Sequence, residues 1–257
     1  MTVGRRISLA IARQLDASFA QALPRSVSID LPRAVAQHER YVDALRQLVP
    51  VLELPALPDC PDGVFVEDTC LILDEKRALR CQPGHPSRIS EVEAVRAVLR
   101  QLGLEVHNLP EETRLDGGDV LWTGQHWLVG SSARSSRDAA HSLQSLVPDR
   151  VRSIAVPSGS LHLKSIVTAL DAETLVVPEG AFGDLVVQQL PDYRTIRLPD
   201  QLACNLVVIN DTVLIQPNQP VLQQACRDRY LDWIEVDTSE LARKDAALTC
   251  CSVLLSL

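Results

Sequence analysis

Residues 115–130 read LDGGDVLWTGQHWLVG. An acidic, glycine-bearing cluster is followed by a short apolar run, a polar turn over Thr123–His126, and a second apolar run. Two short apolar runs parted by turn residues predict a pair of strands. The same phrase recurs on both sides of it: GVFVEDTCLILDEKRALRC at 63–81, SGSLHLKSIVTALDAETLVV at 158–177, LACNLVVINDTVLIQP at 202–217 and LTCCSVLLSL at 248–257. The polar clusters of the five phrases fall near Asp68, Asp116, His162, Asn205 and Cys250, 43 to 48 residues apart. A period of roughly 40–50 residues is that of a propeller or an array. Five α/β units in a ring would bring these five clusters to one central axis, and so into one pocket.

Helical patterns lie between the phrases. SRISEVEAVRAVLRQLG (87–103) carries Val92, Val95, Val98, Leu99 and Leu102 on one face, with Ser90 and Glu93 as an expected capping box and Gly103 as the stop. SSRDAAHSLQSLV, GDLVVQQLP and QPVLQQACRDRYLD read as later copies. Near the start, ISLAIARQL predicts a strand or short helix, and PRAVAQHERYVDALRQLVP a longer helix. Pro50, Pro110, Pro157 and Pro199 are expected at helix-to-strand joints, where a missing N–H is tolerated.

Bulk properties narrow the class. With 257 residues, 46% of them hydrophobic, the chain can bury a large core, and residues 1–257 are expected to form a single domain. A net charge of −8 argues against a nucleic-acid partner and suits a cationic small ligand. Arg13 cuts short the apolar stretch after Arg5 and Arg6, and no later segment approaches a membrane span; a cytoplasmic protein with no membrane partner is expected. The seven cysteines, an odd count without a CxxC pair, fit reduced thiols better than disulfides or a structural zinc site. Whether two chains pair as a homodimer is left open by sequence.

The clusters offer carboxylates at Asp62, Glu67, Asp68, Asp116 and Asp119, an imidazole at His162, and a thiol at Cys250 or Cys251. A thiol with a histidine elsewhere in the chain makes a nucleophile and its proton carrier, and several carboxylates around them would hold a planar guanidinium. Each piece alone has a plainer reading. A histidine in LHLKS suits a core position, free cysteines behave as small buried hydrophobes, Glu67–Asp68 suits a solvated turn, and DGGD suits a hairpin. Joint placement once per repeat favours a site. Successive side chains of a strand face opposite ways, so only one of Cys250 and Cys251 is expected to face the pocket.

VFVEDT, LDGGDVLWTG, LHLKS, CNLVVIN and LTCCSVL, in this order and spacing, resemble the dimethylarginine dimethylaminohydrolases of the pentein, or guanidino-group-modifying, superfamily. The resemblance runs from about Leu23 to Leu257. It implies a five-bladed α/β propeller with its site in a central channel, in agreement with the repeat. It also implies hydrolysis of methylated arginines to citrulline through a covalent cysteine thiouronium, with no cofactor or metal. Carried over by position, the nucleophile is Cys250, the acid and base is His162, and Asp68 and Asp116 hold the guanidinium and orient the histidine. Asp62 and Glu67 would help bind substrate, Arg88 and Arg134 would grip its carboxylate, and Leu23 would cover the site. Lys244 falls at a substrate-contacting position that is apolar in other family members. An arginine deiminase or amidinotransferase of the same superfamily is the nearest alternative; a non-enzymatic zinc-binding or redox-sensing protein using Cys250, Cys251 and His162 is one of a different class.

Overall fold

The computed structural model describes residues 3–147 and 150–257. In chain order its elements are β1 (Leu9–Arg13), α1 (Leu31–Arg46), β2 (Val51–Leu54), β3 (Cys70–Ile72), β4 (Arg77–Arg80), α2 (Ile89–Gln101), β5 (Glu105–Asn108), β6 (Val120–Trp122), β7 (Trp127–Ser131), α3 (Ala139–Gln144) and β8 (Val151–Ala155). There follow β9 (Thr168–Ala169), β10 (Thr174–Pro178), α4 (Ala181–Gln189), β11 (Arg194–Leu198), β12 (Val207–Ile209), β13 (Thr212–Ile215), α5 (Pro220–Arg227), β14 (Asp232–Glu235), α6 (Ser239–Ala242) and β15 (Val253–Leu255).

The strands form five three-stranded sheets, the blades of a propeller. In each blade two strands pair antiparallel, and a helix then carries the chain across to a third, parallel strand, as in β3–β4–α2–β5. Parallel pairing needs such a crossover. The fifth blade joins the two ends of the chain: β15 pairs antiparallel with β1 and β1 parallel with β2, in the register Leu9 to Leu255 and Ala10 to Val51. Hydrophobic clusters fill the seams between blades; one gathers Ile11, Val66, Val95, Leu99 and Leu255, all fully buried, from blades that hold β1 and β3. Among the described residues no helix is long and apolar enough to cross a membrane.

Local expectations are corrected at three points. α2 starts before Ser90: Pro86–Arg88 form a 3-10 turn, with the His85 side chain accepting from the Ser87 N–H, and this turn runs into the helix at Ile89. Ser90 therefore caps nothing and its hydroxyl lies 3.2 Å from the Cys60 sulfur, while Glu93 pairs with Arg80 and Arg96. The apolar face and the Gly103 stop, with φ of +89°, are as expected. Of the prolines, Pro50 does precede a strand, but Pro110, Pro157 and Pro199 stand just past β5, β8 and β11, at exits from blades. Cys250 and Cys251 lie on a 3-10 turn, Leu248–Cys251, rather than on a strand; β15 begins only at Val253.

That turn is one of five. Val66–Thr69, Gly117–Asp119, Leu163–Ser165, Leu202–Cys204 and Leu248–Cys251 each form a single 3-10 turn leading into the first strand of a blade. They are tied to one another around the axis. The Gly118 N–H donates to Asp68 at 2.7 Å, the Leu163 N–H to Asp119 at 2.8 Å, and Asn205 Nδ2 to the Lys164 carbonyl at 2.9 Å. Asn205 Oδ1 in turn accepts from the Thr249 N–H at 2.9 Å, next to Cys250. Asn205 is thus the buried hub between two turns. Asn205→Ala should lower unfolding free energy by about 2–4 kcal/mol, because it strands the Thr249 N–H and the Lys164 carbonyl in the interior. Thermal unfolding checks this against Gln47→Ala on the exposed end of α1, expected within about 0.5 kcal/mol of the parent.

Candidate active site

A 3-10 turn advances three residues per revolution, so neighbouring side chains diverge by about 120°. On the last turn Leu248, Thr249 and Cys251 are buried, while Cys250 stays partly open. Cys251 packs in the core with Tyr41 and Leu254, its sulfur 3.8 Å from the Ala247 carbonyl. Cys250 opens onto a pocket whose wall also holds His162, Asp68, Asp62, Arg88 and Arg134. Leu23, Phe65, Leu161, Lys244 and Asp245 complete the lining.

His162 enters from the turn of the third blade. Its Nε2 lies 2.9 Å from Asp116 Oδ2, and that carboxylate is fixed from behind by the Gly84 N–H at 2.7 Å. The two glycines of DGGD are there for close approach. A Cβ on Gly117 would lie 2.0 Å from the Glu67 carbonyl, and one on Gly118 would meet His162 Nδ1 at 2.7 Å and Asp68 Oδ1 at 2.8 Å. The segment is no hairpin turn; it is a gap through which carboxylate and imidazole come together. Asp119 holds structure: it accepts from Ser132 and Ser135, both at 2.6 Å, and from the Leu163 N–H.

Not every expected residue reaches the pocket. Asp116 stands behind His162, and Glu67 faces the other way, its Oε1 2.5 Å from Lys164 Nζ, where both line a second cavity with Cys70, Thr249 and Ser252. Arg88 does line the pocket, but its guanidinium is already engaged by Asp68, by Glu91 at 2.6 Å, and by the Asp62 and Phe65 carbonyls. Arg134 is freer, 3.6 Å from Asp116. Leu23 holds its place through its N–H, which donates to Asp62 Oδ1 at 3.0 Å. Lys244 is almost wholly buried and its ammonium donates to two backbone carbonyls. Asp245, absent from the sequence reading, sits on the pocket wall with φ of +56°. A left-handed aspartate is uncommon, but nothing in the bare sequence marks where one will fall.

The charges are strongly coupled. Burial opposes a charge on His162, yet Asp68, the hydrogen bond to Asp116, and Asp119 outweigh it and lift the imidazole to about 9. Burial pushes the Cys250 thiol up to about 12, helped by the negative charges of Glu67 and Asp68. Asp68 is pulled down to about 2: burial raises it, but His162, Arg88 and the Gly118 N–H prevail. At neutral pH the resting site therefore pairs a neutral thiol with an imidazolium. Asp68, Asp116 and His162 also bring one possible metal-ligand atom each within 4.8 Å of one another. Arg88 already supplies a cation to Asp68, and His162 Nε2 is turned to Asp116, so an ion would have to displace both contacts.

No family model matches the chain. A Streptomyces coelicolor protein named N(G),N(G)-dimethylarginine dimethylaminohydrolase is 32% identical to it over 228 residues, covering 86% of each. The chain belongs to the dimethylarginine dimethylaminohydrolase family. A Pseudomonas aeruginosa protein of the same name is 29% identical over 227 residues, 86% of this chain and 87% of that one. A crystal structure of the Pseudomonas aeruginosa enzyme, a mutant complexed with citrulline, superposes with a TM-score of 0.87 at 26% identity, over 97% of this chain and all of the other. The N-terminal domain of a cyanobacterial arginine dihydrolase, 18% identical with a TM-score of 0.83, shares the pentein fold.

Proposed function

We propose that the protein hydrolyses Nω-methylated arginines, such as asymmetric dimethylarginine and monomethylarginine, to citrulline and dimethylamine or methylamine. The observation that carries this reading is the convergence, in one pocket, of a thiol, a carboxylate-held imidazolium and the carboxylates Asp62, Asp68 and Asp245. Family membership and the citrulline complex of the Pseudomonas aeruginosa relative support it.

In this scheme the substrate guanidinium enters among the carboxylates, and its positive charge favours ionisation of the Cys250 thiol, whose proton leaves to solvent. The thiolate attacks the guanidinium carbon. As the C–N bond breaks, the His162 imidazolium protonates the departing amine, and a cysteine thiouronium remains. Neutral His162 then takes a proton from water, which adds to the same carbon; the C–S bond breaks and citrulline departs. Asp116 keeps His162 oriented and favours its charged form, and Glu67 acts from behind by holding the resting thiol protonated. Arg134, the less engaged of the two arginines on the pocket wall, presents positive charge to the substrate's carboxylate end, while Arg88 holds Asp68 in place.

The test is citrulline release from asymmetric dimethylarginine, monomethylarginine and arginine, side by side. The methylated substrates should turn over, with arginine at least about tenfold slower, a difference of about 1.4 kcal/mol in barrier. Arginine turned over alone would make the protein a deiminase. Silence on all three, with metal retained on purification, would favour a zinc-binding role.

A further inference from the structure

Residues 22–29 connect the short turn at Ala17–Gln21 to α1 and run past the Cys250 pocket, into which Leu23 projects. The connection is moored at few points. On one side the Leu23 N–H is held by Asp62. On the other, Lys244 Nζ donates to the Pro24 carbonyl at 3.1 Å and to the Val27 carbonyl at 2.7 Å, across more than 200 residues of chain. Arg243 adds a contact to the Ser28 carbonyl at 3.0 Å. Ala22 and Ile29 pack on the core at the two ends, and the Asp30 N–H donates to Glu240 at 2.5 Å, but between them Arg25, Ser26 and Ser28 are exposed, so the middle of the segment depends on these contacts.

We propose that Lys244 is a positioning residue, a latch that fastens the 23–28 segment against the pocket and sets how firmly a bound guanidine is retained. Its chemistry suits a latch better than a permanent strut. Arg88, which lines the same pocket, is locked by two carboxylates and two carbonyls, an arrangement that costs several kcal/mol to break. Lys244 is 1% exposed yet meets only neutral carbonyls, which repay less of the cost of burying an ammonium. Burial accordingly lowers its pKa against the pull of Asp62. Releasing the segment would let the ammonium regain water, which offsets part of the cost of breaking its two hydrogen bonds. The left-handed turn at Asp245 connects the two sides: one residue reaches the segment and the next lines the pocket.

Limited trypsin digestion reads the latch without any substrate. Cleavage at Arg25–Ser26 requires the segment to lift, and its rate follows the open population when closing is fast. Lys244→Met keeps the length of the side chain and removes the charge; it should speed this cut at least about tenfold relative to cuts elsewhere, with thermal unfolding little changed. Lys244→Ala, which leaves space instead of bulk, is the second variant in case the first folds poorly, and should do the same. Unchanged cleavage in a folded variant of either kind would overturn the proposal. A second readout rests on the proposed function: in a Cys250→Ser background, Lys244→Met should weaken citrulline binding about tenfold and Lys244→Arg should restore most of it. No citrulline binding even with Lys244 intact would count against the substrate assignment, and the digestion result would still decide the latch.

Discussion

Cys250→Ser should lose at least about four orders of magnitude in citrulline formation, more than 5 kcal/mol of barrier, while Cys251→Ser should stay within about threefold of the parent. A serine hydroxyl in this place is held protonated by the same burial and the same negative charges that push the thiol to about 12, and it lacks the nucleophilicity of sulfur. The cost of Cys251→Ser lies elsewhere. Its side chain is fully buried in a cluster with Tyr41, Leu254 and Leu248, its sulfur 3.8 Å from the Ala247 carbonyl, so a new hydroxyl is desolvated among apolar groups and about 1–3 kcal/mol of stability should go. Initial rates and melting curves on both variants separate the two roles. A dead Cys251 variant beside an active Cys250 variant would reverse the assignment.

Asp68→Asn should reduce kcat/KM by about two to three orders of magnitude, or roughly 2–4 kcal/mol. Asparagine keeps the shape and can still accept from the Gly118 N–H, but it removes a negative charge that both Arg88 and His162 feel. Asp68→Ala is the poorer probe: it strands the Arg88 guanidinium and the Gly118 N–H in the interior, and lost folding would mimic lost catalysis. The charge removal has a pH signature. His162 sits at about 9 in the folded state against an ordinary value of 6.5, so the parent should keep its imidazolium, and its rate, up to about pH 9. In Asp68→Asn the alkaline limb should move towards pH 7. Stability carries the same sign. A raised histidine pKa contributes fully below about pH 6.5 and its contribution, about 3 kcal/mol at most, fades as pH climbs through 9. An alkaline limb that stays near pH 9 in a folded Asp68→Asn variant would mean that another group sets it.

Much of the ring is legible in the sequence because its inner strands are short apolar runs: VLW, VVI and VLL each stand beside a polar turn at a regular interval. In three blades the third strand is not. EVHN, RTIRL and DWIE sit at the outer edge, half in water, and read as loop by any count of apolar residues. Their pairing is set by the crossover helices, a tertiary effect. The site divides in the same way. His162, Asp68 and a thiol at Cys250 or Cys251 announce themselves through chemistry and spacing, with Cys250 singled out by the family resemblance, whereas the direction in which Glu67 points, the engagement of Arg88 by Glu91 and the backbone reversal at Asp245 depend on packing around the axis.

The pairing of β1 with β15 has a kinetic meaning. Ser8 and Leu255 meet from 247 residues apart, so the seam of the ring is its longest-range contact and the one with the largest chain-closure entropy. On a ribosome β1 is made early and its edge must wait, without its partner, until nearly all the other blades have been synthesised. Cys250 lies three residues before Val253, where the strand contact that closes the ring begins, and its turn is tied to the neighbouring blade through the Thr249 N–H and Asn205. In a growing polypeptide Cys250 and the strand that closes the ring therefore emerge almost together.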